Sequence, residues 1–176
     1  RVQGNLVLIS SMPEVVDISN SGAVAVFEMD LGENPPSEAT YLGSFMTFSN
    51  QFGTSLAAHG DELLVGVPES DFGGVLDSGN VYVIDPETGW PTLTLTLDHE
   101  AAGGRPERDP WDGDLFGTCV ASYTDSYGDS YILVSAPGRA SSGVNGINGA
   151  GAVYLFDSSG TLLREFLNPT PGLNDQ

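Results

Sequence analysis

Residues 51–68 read QFGTSLAAHGDELLVGVP, and this stretch decides the fold because both of its halves recur further along the chain. The copies of its opening are FGTSLA at 52–57 and FGTCVA at 116–121, and those of its close are LLVGVP at 63–68, ILVSAP at 132–137 and the weaker LISSMP at 8–13. Elements that recur in one fixed order are the sequence signature of a repeat architecture.

Two further elements follow each copy in the same order, and all of them have the pattern of β-strands. They are GAVAVFE at 22–28, GNVYVID at 79–85 and GAVYLFD at 151–157, and then YLGSFMTF at 41–48, TLTLTL at 92–97 and LLREFL at 162–167. The period of two in TLTLTL puts Leu93, Leu95 and Leu97 on one face. LLVGVP is apolar on both faces, which predicts a central strand covered on both sides. No stretch has an apolar stripe of helical period, so we expect little helix.

Four strands per unit is the arithmetic of a β-propeller blade, so the sequence predicts an all-β fold of four-stranded antiparallel blades. We assign blade 1 to residues 1–50, lacking its Phe-Gly start, blade 2 to 51–113 and blade 3 to 114–176. Propellers have about four to eight blades. We therefore expect either further blades of a longer chain, or pairing of the open edges with other copies of this one.

Phe-Gly followed by GDELLVGVP and GNVYVID resembles the FG-GAP repeat of integrin-α-type β-propellers, and the resemblance covers essentially the whole chain. The subtype without calcium loops is the most similar, because WDGDLFG at 111–117 matches its lead-in and GRASSGVNGINGAG at 138–151 matches its loop before the third strand. We expect Gly53 and Gly117 to turn the chain sharply into an innermost strand, and their neighbours Phe52 and Phe116 to wedge between adjacent blades.

In integrin-type repeats a calcium loop joins the first two strands, and this sequence departs from that pattern. The first connection is only HGDE, which is too short for such a loop. The second, YTDSYGDSY, has Asp125 and Asp129, but Tyr127 stands where an oxygen ligand is needed. The resemblance therefore implies no cofactor, although calcium stays possible.

Two other acidic groups are candidate cation sites, and for both we prefer solvated turn residues. The groups are Glu69, Asp71 and Asp77 in one loop, and Asp109, Asp112 and Asp114 in another. The metal content is therefore left open.

The net charge of −19, with five arginines and no lysine, argues against nucleic acid and against insertion into or binding to anionic membranes. It fits an extracellular or cell-surface location, although acidity also simply keeps a surface soluble. No apolar run approaches a membrane span of about 20 residues. No N-x-S/T sequon is present, so if the protein is glycosylated the more natural sites are Ser and Thr in NPPSEAT and NPTPG.

No arrangement of residues points to catalysis. His59 and His99 lie in loop contexts, where a histidine is usually a surface group. Cys119 falls in an alternating run and is interpreted as a small buried hydrophobe. Trp90 and Trp111 stand beside Pro and either stack on sugar rings or cap blade edges, and we prefer the structural role.

The sequence therefore predicts a non-enzymatic extracellular scaffold: an adhesion, surface-layer or filament component. Its partners would be copies of itself, further blades, or extracellular protein or glycan reached through loops and blade edges. The alternatives are a carbohydrate-binding, lectin-like propeller and the propeller part of a larger secreted enzyme.

Overall fold

A computed structural model describes residues 6–11, 22–29, 39–47, 51–71, 75–97, 113–139 and 149–168, and within the first three ranges it describes the side chains of 22–27 and Tyr41. Within these ranges, all regular secondary structure consists of β-strands. The strands are β1 Leu6–Ser11, β2 Gly22–Met29, β3 Ala39–Thr47, β4 Ser55–His59, β5 Glu62–Val67, β6 Asn80–Ile84, β7 Pro91–Leu95, β8 Val120–Thr124, β9 Ser130–Ala136, β10 Ala152–Asp157 and β11 Leu162–Leu167.

The strands form three antiparallel sheets, each in chain order. Sheet 1 is β1-β2-β3, sheet 2 is β4-β5-β6-β7 and sheet 3 is β8-β9-β10-β11. The predicted fold class is confirmed, since the described chain is all-β, contains four-stranded antiparallel units and forms no closed ring. The unit boundaries at residues 50/51 and 113/114 stay a prediction.

The repeat includes a shift in strand register that the sequence does not predict. The register shifts at one place in each sheet, between Val26 and Phe27, between Val83 and Ile84, and between Leu155 and Phe156. In each sheet this is the pairing of the third and fourth strands of the repeat, where a β-bulge bends the edge strand. Three sheets that bend at one equivalent position are the same structural unit.

Two apolar clusters hold the sheets together, and β5 contributes to both. Its side chains alternate, so Leu63, Val65 and Val67 join the cluster with sheet 1, whereas Leu64 joins the cluster with sheet 3. All four are fully buried, which confirms the prediction of a strand covered on both faces. Burying each such side chain contributes about 1.5–3 kcal/mol. We call the contact of sheets 1 and 2 the first joint, and that of sheets 2 and 3 the second joint.

The same alternation is seen at the edge of sheet 2. Leu95 and Leu97 are buried in the second joint and Leu93 packs against it, whereas Thr92 and Thr94 are exposed. The predicted two faces of TLTLTL are confirmed.

Candidate functional site: Phe-Gly joints and an open sheet face

Each joint is built on a tight turn that carries the Phe-Gly pair. The amide of Thr54 donates to the carbonyl of Gln51 at 3.2 Å, so Phe52 and Gly53 are the central residues of a β-turn. Gly53 has a φ of 88°, a conformation that β-turns of this kind require at their third position and that favours glycine. The glycine is therefore fixed by backbone geometry.

The second Phe-Gly turn repeats the first in its hydrogen bonds. The amide of Thr118 donates to the carbonyl of Leu115 at 3.2 Å, and its hydroxyl donates to the same oxygen at 2.7 Å. Gly117 has a φ of 96°. The predicted sharp turn is confirmed in both units.

The two phenylalanines lie between consecutive sheets. Phe52 is 3% exposed and packs with Val24 and Val26 of sheet 1, while its ring centroid lies 6.2 Å from that of Tyr82 in its own sheet. Phe52 therefore joins sheet 2 to sheet 1, as predicted.

Phe116 occupies the equivalent place in the second joint. It is fully buried, packs with Val81 and Val83 of sheet 2, and has its ring 5.8 Å from that of Tyr154 in its own sheet. The prediction that both phenylalanines wedge between units is confirmed.

A glycine on the preceding sheet gives the backbone of each Phe-Gly turn room to approach. A Cβ added to Gly22 would overlap the carbonyl oxygen of Phe52, and one added to Gly79 would overlap that of Phe116. The equivalent residue of sheet 3 is Gly151, where an added Cβ would meet only Pro137, at 3.6 Å or more. Within the described ranges, Gly151 thus has the form of a joint residue with no further sheet packed on it.

Alanine at Gly79 should be more destabilising than alanine at Gly151. Both glycines have a left-handed φ, +81° and +77°, so the backbone strain of alanine, about 1–2 kcal/mol, is matched. Only Gly79→Ala adds a clash with the Phe116 backbone, which should cost about 1–3 kcal/mol more. Urea denaturation of the two variants measures the difference, and equal losses would show that the second joint is not packed as described.

The outer surface of sheet 3 is apolar and exposed where the corresponding surface of sheet 2 is buried. Val153 is 36% exposed and Phe166 47%, whereas their counterparts Val81 and Leu95 are 0% and 3% exposed. We call the surface formed by Val153, Leu155 and Phe166 the open face. It is the candidate interaction surface of the described chain.

An aspartate begins each of two hairpin turns in sheet 3 and accepts hydrogen bonds from amides of its own turn. The Asp125 Oδ1 accepts the amides of Tyr127 at 2.9 Å and Asp129 at 3.0 Å. In the next hairpin, the Asp157 Oδ1 accepts the amides of Ser159 and Thr161, each at 2.9 Å. A carboxylate that accepts its own turn amides is a structural cap.

Removing the cap at Asp157 should weaken the β10–β11 hairpin. The side-chain bond from Ser159 and the backbone amides lower the pKa of Asp157. Asp157→Ala should cost about 1 kcal/mol of unfolding free energy, with Ser158→Ala as the exposed control. Because the folded pKa is the lower one, this stabilisation is present above the unfolded pKa of about 3.9 and is lost as the pH falls through the folded value. A loss that does not change with pH would contradict the cap.

The other acidic candidates form turn contacts or lie outside the described residues. Glu69 accepts a hydrogen bond from the side-chain amide of Gln51, and Asp71 accepts the amide of Asp77 at 3.0 Å. In the ranges that the structure describes, no three His, Cys, Asp or Glu side chains are grouped so that they could hold a metal ion. Asp109 and Asp112 lie outside those ranges.

The prediction that Asp114 is a solvated turn residue is wrong. Asp114 is 1% exposed and Arg139 2%, and the Arg139 Nη1 donates to the Asp114 Oδ2 at 3.0 Å. The pair links the lead-in of the Phe-Gly turn to the loop after β9. A buried carboxylate needs such a partner, because leaving water costs several kcal/mol per ion.

The interpretation of His59 as a loop residue at the surface is also wrong. His59 is the last residue of β4 and is 5% exposed, and its Nδ1 lies 2.7 Å from the Ser122 Oγ of β8. The contact crosses the second joint. Burial lowers the pKa of His59 from its ordinary 6.5, and the opposing effect of Glu62 is smaller. The neutral ring thus serves packing between units.

Acidification should weaken the second joint through His59. Because its pKa is lower in the folded chain, the contribution of the neutral ring is complete above about pH 6.5 and is lost as the pH falls through the lowered value. His59→Asn keeps a hydrogen-bonding group and should flatten this part of the curve of unfolding free energy against pH. Superimposable curves for wild type and His59→Asn would contradict the assignment.

Two further predictions about single residues fail in the structure. Cys119 is exposed, because β8 begins at Val120 and it is Val120 that turns inward. Trp90 is 75% exposed, so the structural capping role preferred for it is not seen. His99 and Trp111 lie outside the described residues.

The repeated sheets and the wedged phenylalanines define the class of structure: in the described residues, these are β-propeller-type blades that form no closed ring. Residues 47–84 match the family model of the FG-GAP repeat, so the chain contains an FG-GAP repeat, as the resemblance implied. FG-GAP repeats are found in extracellular adhesion-type proteins and are generally non-enzymatic. No curated protein matches the chain. In the described part of the chain, no helix has the length and apolar character needed to cross a bilayer.

Proposed function

We propose that this protein is a non-enzymatic extracellular scaffold of the adhesion type, which presents loops and sheet faces to partners. The observation that carries the proposal is the use of the buried groups. Phe52, Phe116, His59 and the Asp114–Arg139 pair all join one unit to the next or fix the turns at the joints. These groups, among the described residues, therefore support packing between the sheets, which is what a scaffold requires.

The exposed thiol gives a direct test of the location. Cys119 is the single cysteine and is exposed, whereas the chain has no lysine for amine reagents. A membrane-impermeant maleimide should label the protein on intact cells that produce it, and Cys119→Ser should abolish the label. Labelling only after lysis would overturn an extracellular role.

The adhesion role has a separate readout. Excess soluble chain should compete with the surface-bound protein and reduce the attachment of producing cells to their substratum. The unfolded chain, prepared by heating, serves as the control. Unchanged attachment with labelled, surface-exposed protein would overturn adhesion while leaving the location intact.

Glycan binding is a second candidate that Trp90 favours. Trp90 is 75% exposed in a hairpin that also contains Asp85 and Glu87, which combines a flat apolar ring with the hydrogen-bond acceptors that sugars use. A glycan array should then show binding that Trp90→Ala abolishes and Tyr127→Ala, at another exposed aromatic, retains. No binding by the wild-type chain would dismiss this candidate.

A further inference from the structure

We propose that the chain associates with itself head to tail, the open face of sheet 3 on one copy binding the outer surface of sheet 1 on another. That outer surface, formed by Ala25, Phe27 and Tyr41, is called the front face. The proposal gives the scaffold a partner, a second copy of this chain, and rests on the scaffold role to that extent.

The two internal joints show what a surface like the open face binds. In the first joint, Val24 and Val26 of sheet 1 pack against Leu63 and Val65 of sheet 2. In the second joint, the equivalent pair on sheet 2, Val81 and Val83, packs against the equivalent strand of sheet 3. The same side of one sheet thus meets the opposite side of the next in both cases.

The open face continues this series by register. Val153 on β10 pairs with Phe166 as Val81 on β6 pairs with Leu95. Val81 and Leu95 are buried by sheet 3, whereas Val153 and Phe166 remain exposed. Gly151 at the start of this strand leaves the space into which a docked backbone can move, as at Gly22 and Gly79. The open face is therefore a third copy of an established interface.

The front face supplies the complementary surface. Val24 and Val26 turn toward sheet 2, so by strand alternation Ala25 and Phe27 turn to the other side of β2. Tyr41 pairs across from Phe27, their rings lie 5.5 Å apart, and Tyr41 is 56% exposed. In sheets 2 and 3 this same side faces the preceding sheet.

Charge favours these surfaces over the rest of the molecule. Two copies with a formal charge of −19 each repel one another. The three residues of the open face are apolar and Arg164 is paired across from Leu155, so repulsion is weaker there than over the acidic remainder of the chain. Added salt should therefore strengthen association by screening the net repulsion.

Such an interface joins two different surfaces, so it grows into a ring or an open filament according to the rotation between copies. Sedimentation equilibrium over about a hundredfold range of concentration should show the wild-type mass rising above 18.4 kDa. Val153→Asp/Phe166→Asp on the open face and Tyr41→Asp on the front face should each weaken association at least tenfold. Tyr127→Asp, at an exposed tyrosine in the turn between β8 and β9, should leave association unchanged.

Mixing the two kinds of variant makes the test specific. The open-face variant keeps its front face and the front-face variant keeps its open face, so an equal mixture should form dimers containing one copy of each. Equal unfolding midpoints establish that the variants are folded. A wild-type mass of 18.4 kDa at every concentration, or a mixture that stays monomeric, would overturn self-association. Either result leaves the surface labelling of Cys119 as an independent test of the scaffold.

Discussion

Phe116→Ala is expected to lower the free energy of unfolding by about 3–5 kcal/mol. The ring is fully buried between sheets 2 and 3 and lies 5.8 Å from the ring of Tyr154 and 6.0 Å from that of Phe156. Truncation removes this packing and leaves a cavity that two sheets cannot close without moving. Chemical denaturation monitored by circular dichroism measures the loss.

Phe166→Ala is the matched control for this prediction. It changes the same residue type in the same sheet, but Phe166 is 47% exposed on the open face. Its truncation should cost about 1 kcal/mol or less at a concentration where the chain is monomeric. A comparable loss for the two variants would contradict the wedge role of Phe116.

Arg139→Met is expected to cost about 3–5 kcal/mol, because it leaves the buried carboxylate of Asp114 without its ion-pair partner. Asp114→Leu combined with Arg139→Met removes both charges and should recover much of the loss. Arg164→Met, at an exposed arginine, should change stability by about 0.5 kcal/mol or less. Strictly additive losses in the double variant would contradict a coupled pair.

The same buried region contains a second polar contact, and Arg139 acts on it as well. The Tyr154 hydroxyl donates to the Glu165 Oε1 at 3.0 Å, and burial raises the pKa of Tyr154 well above its ordinary value. Arg139 acts on this hydroxyl in the opposite direction. The pair and the tyrosine therefore belong to one electrostatic neighbourhood beside Phe116.

The sequence predicted the strands and the joints because the repeat marks both. Alternation placed Leu93 and Leu95 on one face, and the recurrence of Phe-Gly identified Phe52 and Phe116 as the residues between units. Such features are local or recur, so they can be recognised without knowing which sheets meet. Fold class and joint positions follow from them.

The errors concern residues whose environment is set by distant parts of the chain. The expectation that Asp114 is solvated fails because its partner Arg139 lies in a different loop. No local sequence pattern links the two residues. The Gly-Asp turn after His59 suggests a loop, but β4 extends to His59. The His59 side chain then contacts Ser122 of β8. The capping role of the aspartates has a local signal in the sequence, because Asp125 and Asp157 each begin a short turn with a glycine three residues on.

The open face could not be recognised from the sequence, because Val153 and Phe166 have the same alternating pattern as buried residues. Only comparison of equivalent positions in three sheets shows that they are exposed. The open face is thus a surface on which the packing seen at the two joints is not repeated within the described residues.

The central claim is that the Phe-Gly turn of one unit packs into the sheet of the unit before it, and a double-mutant cycle between Phe116→Leu and Val81→Ala tests it most directly. The two residues belong to different sheets and share one cluster, so we predict a coupling energy of about 1 kcal/mol or more. A second cycle pairs Phe116→Leu with Val24→Ala of the other cluster and should be additive within about 0.5 kcal/mol. Additivity in both cycles would contradict the account.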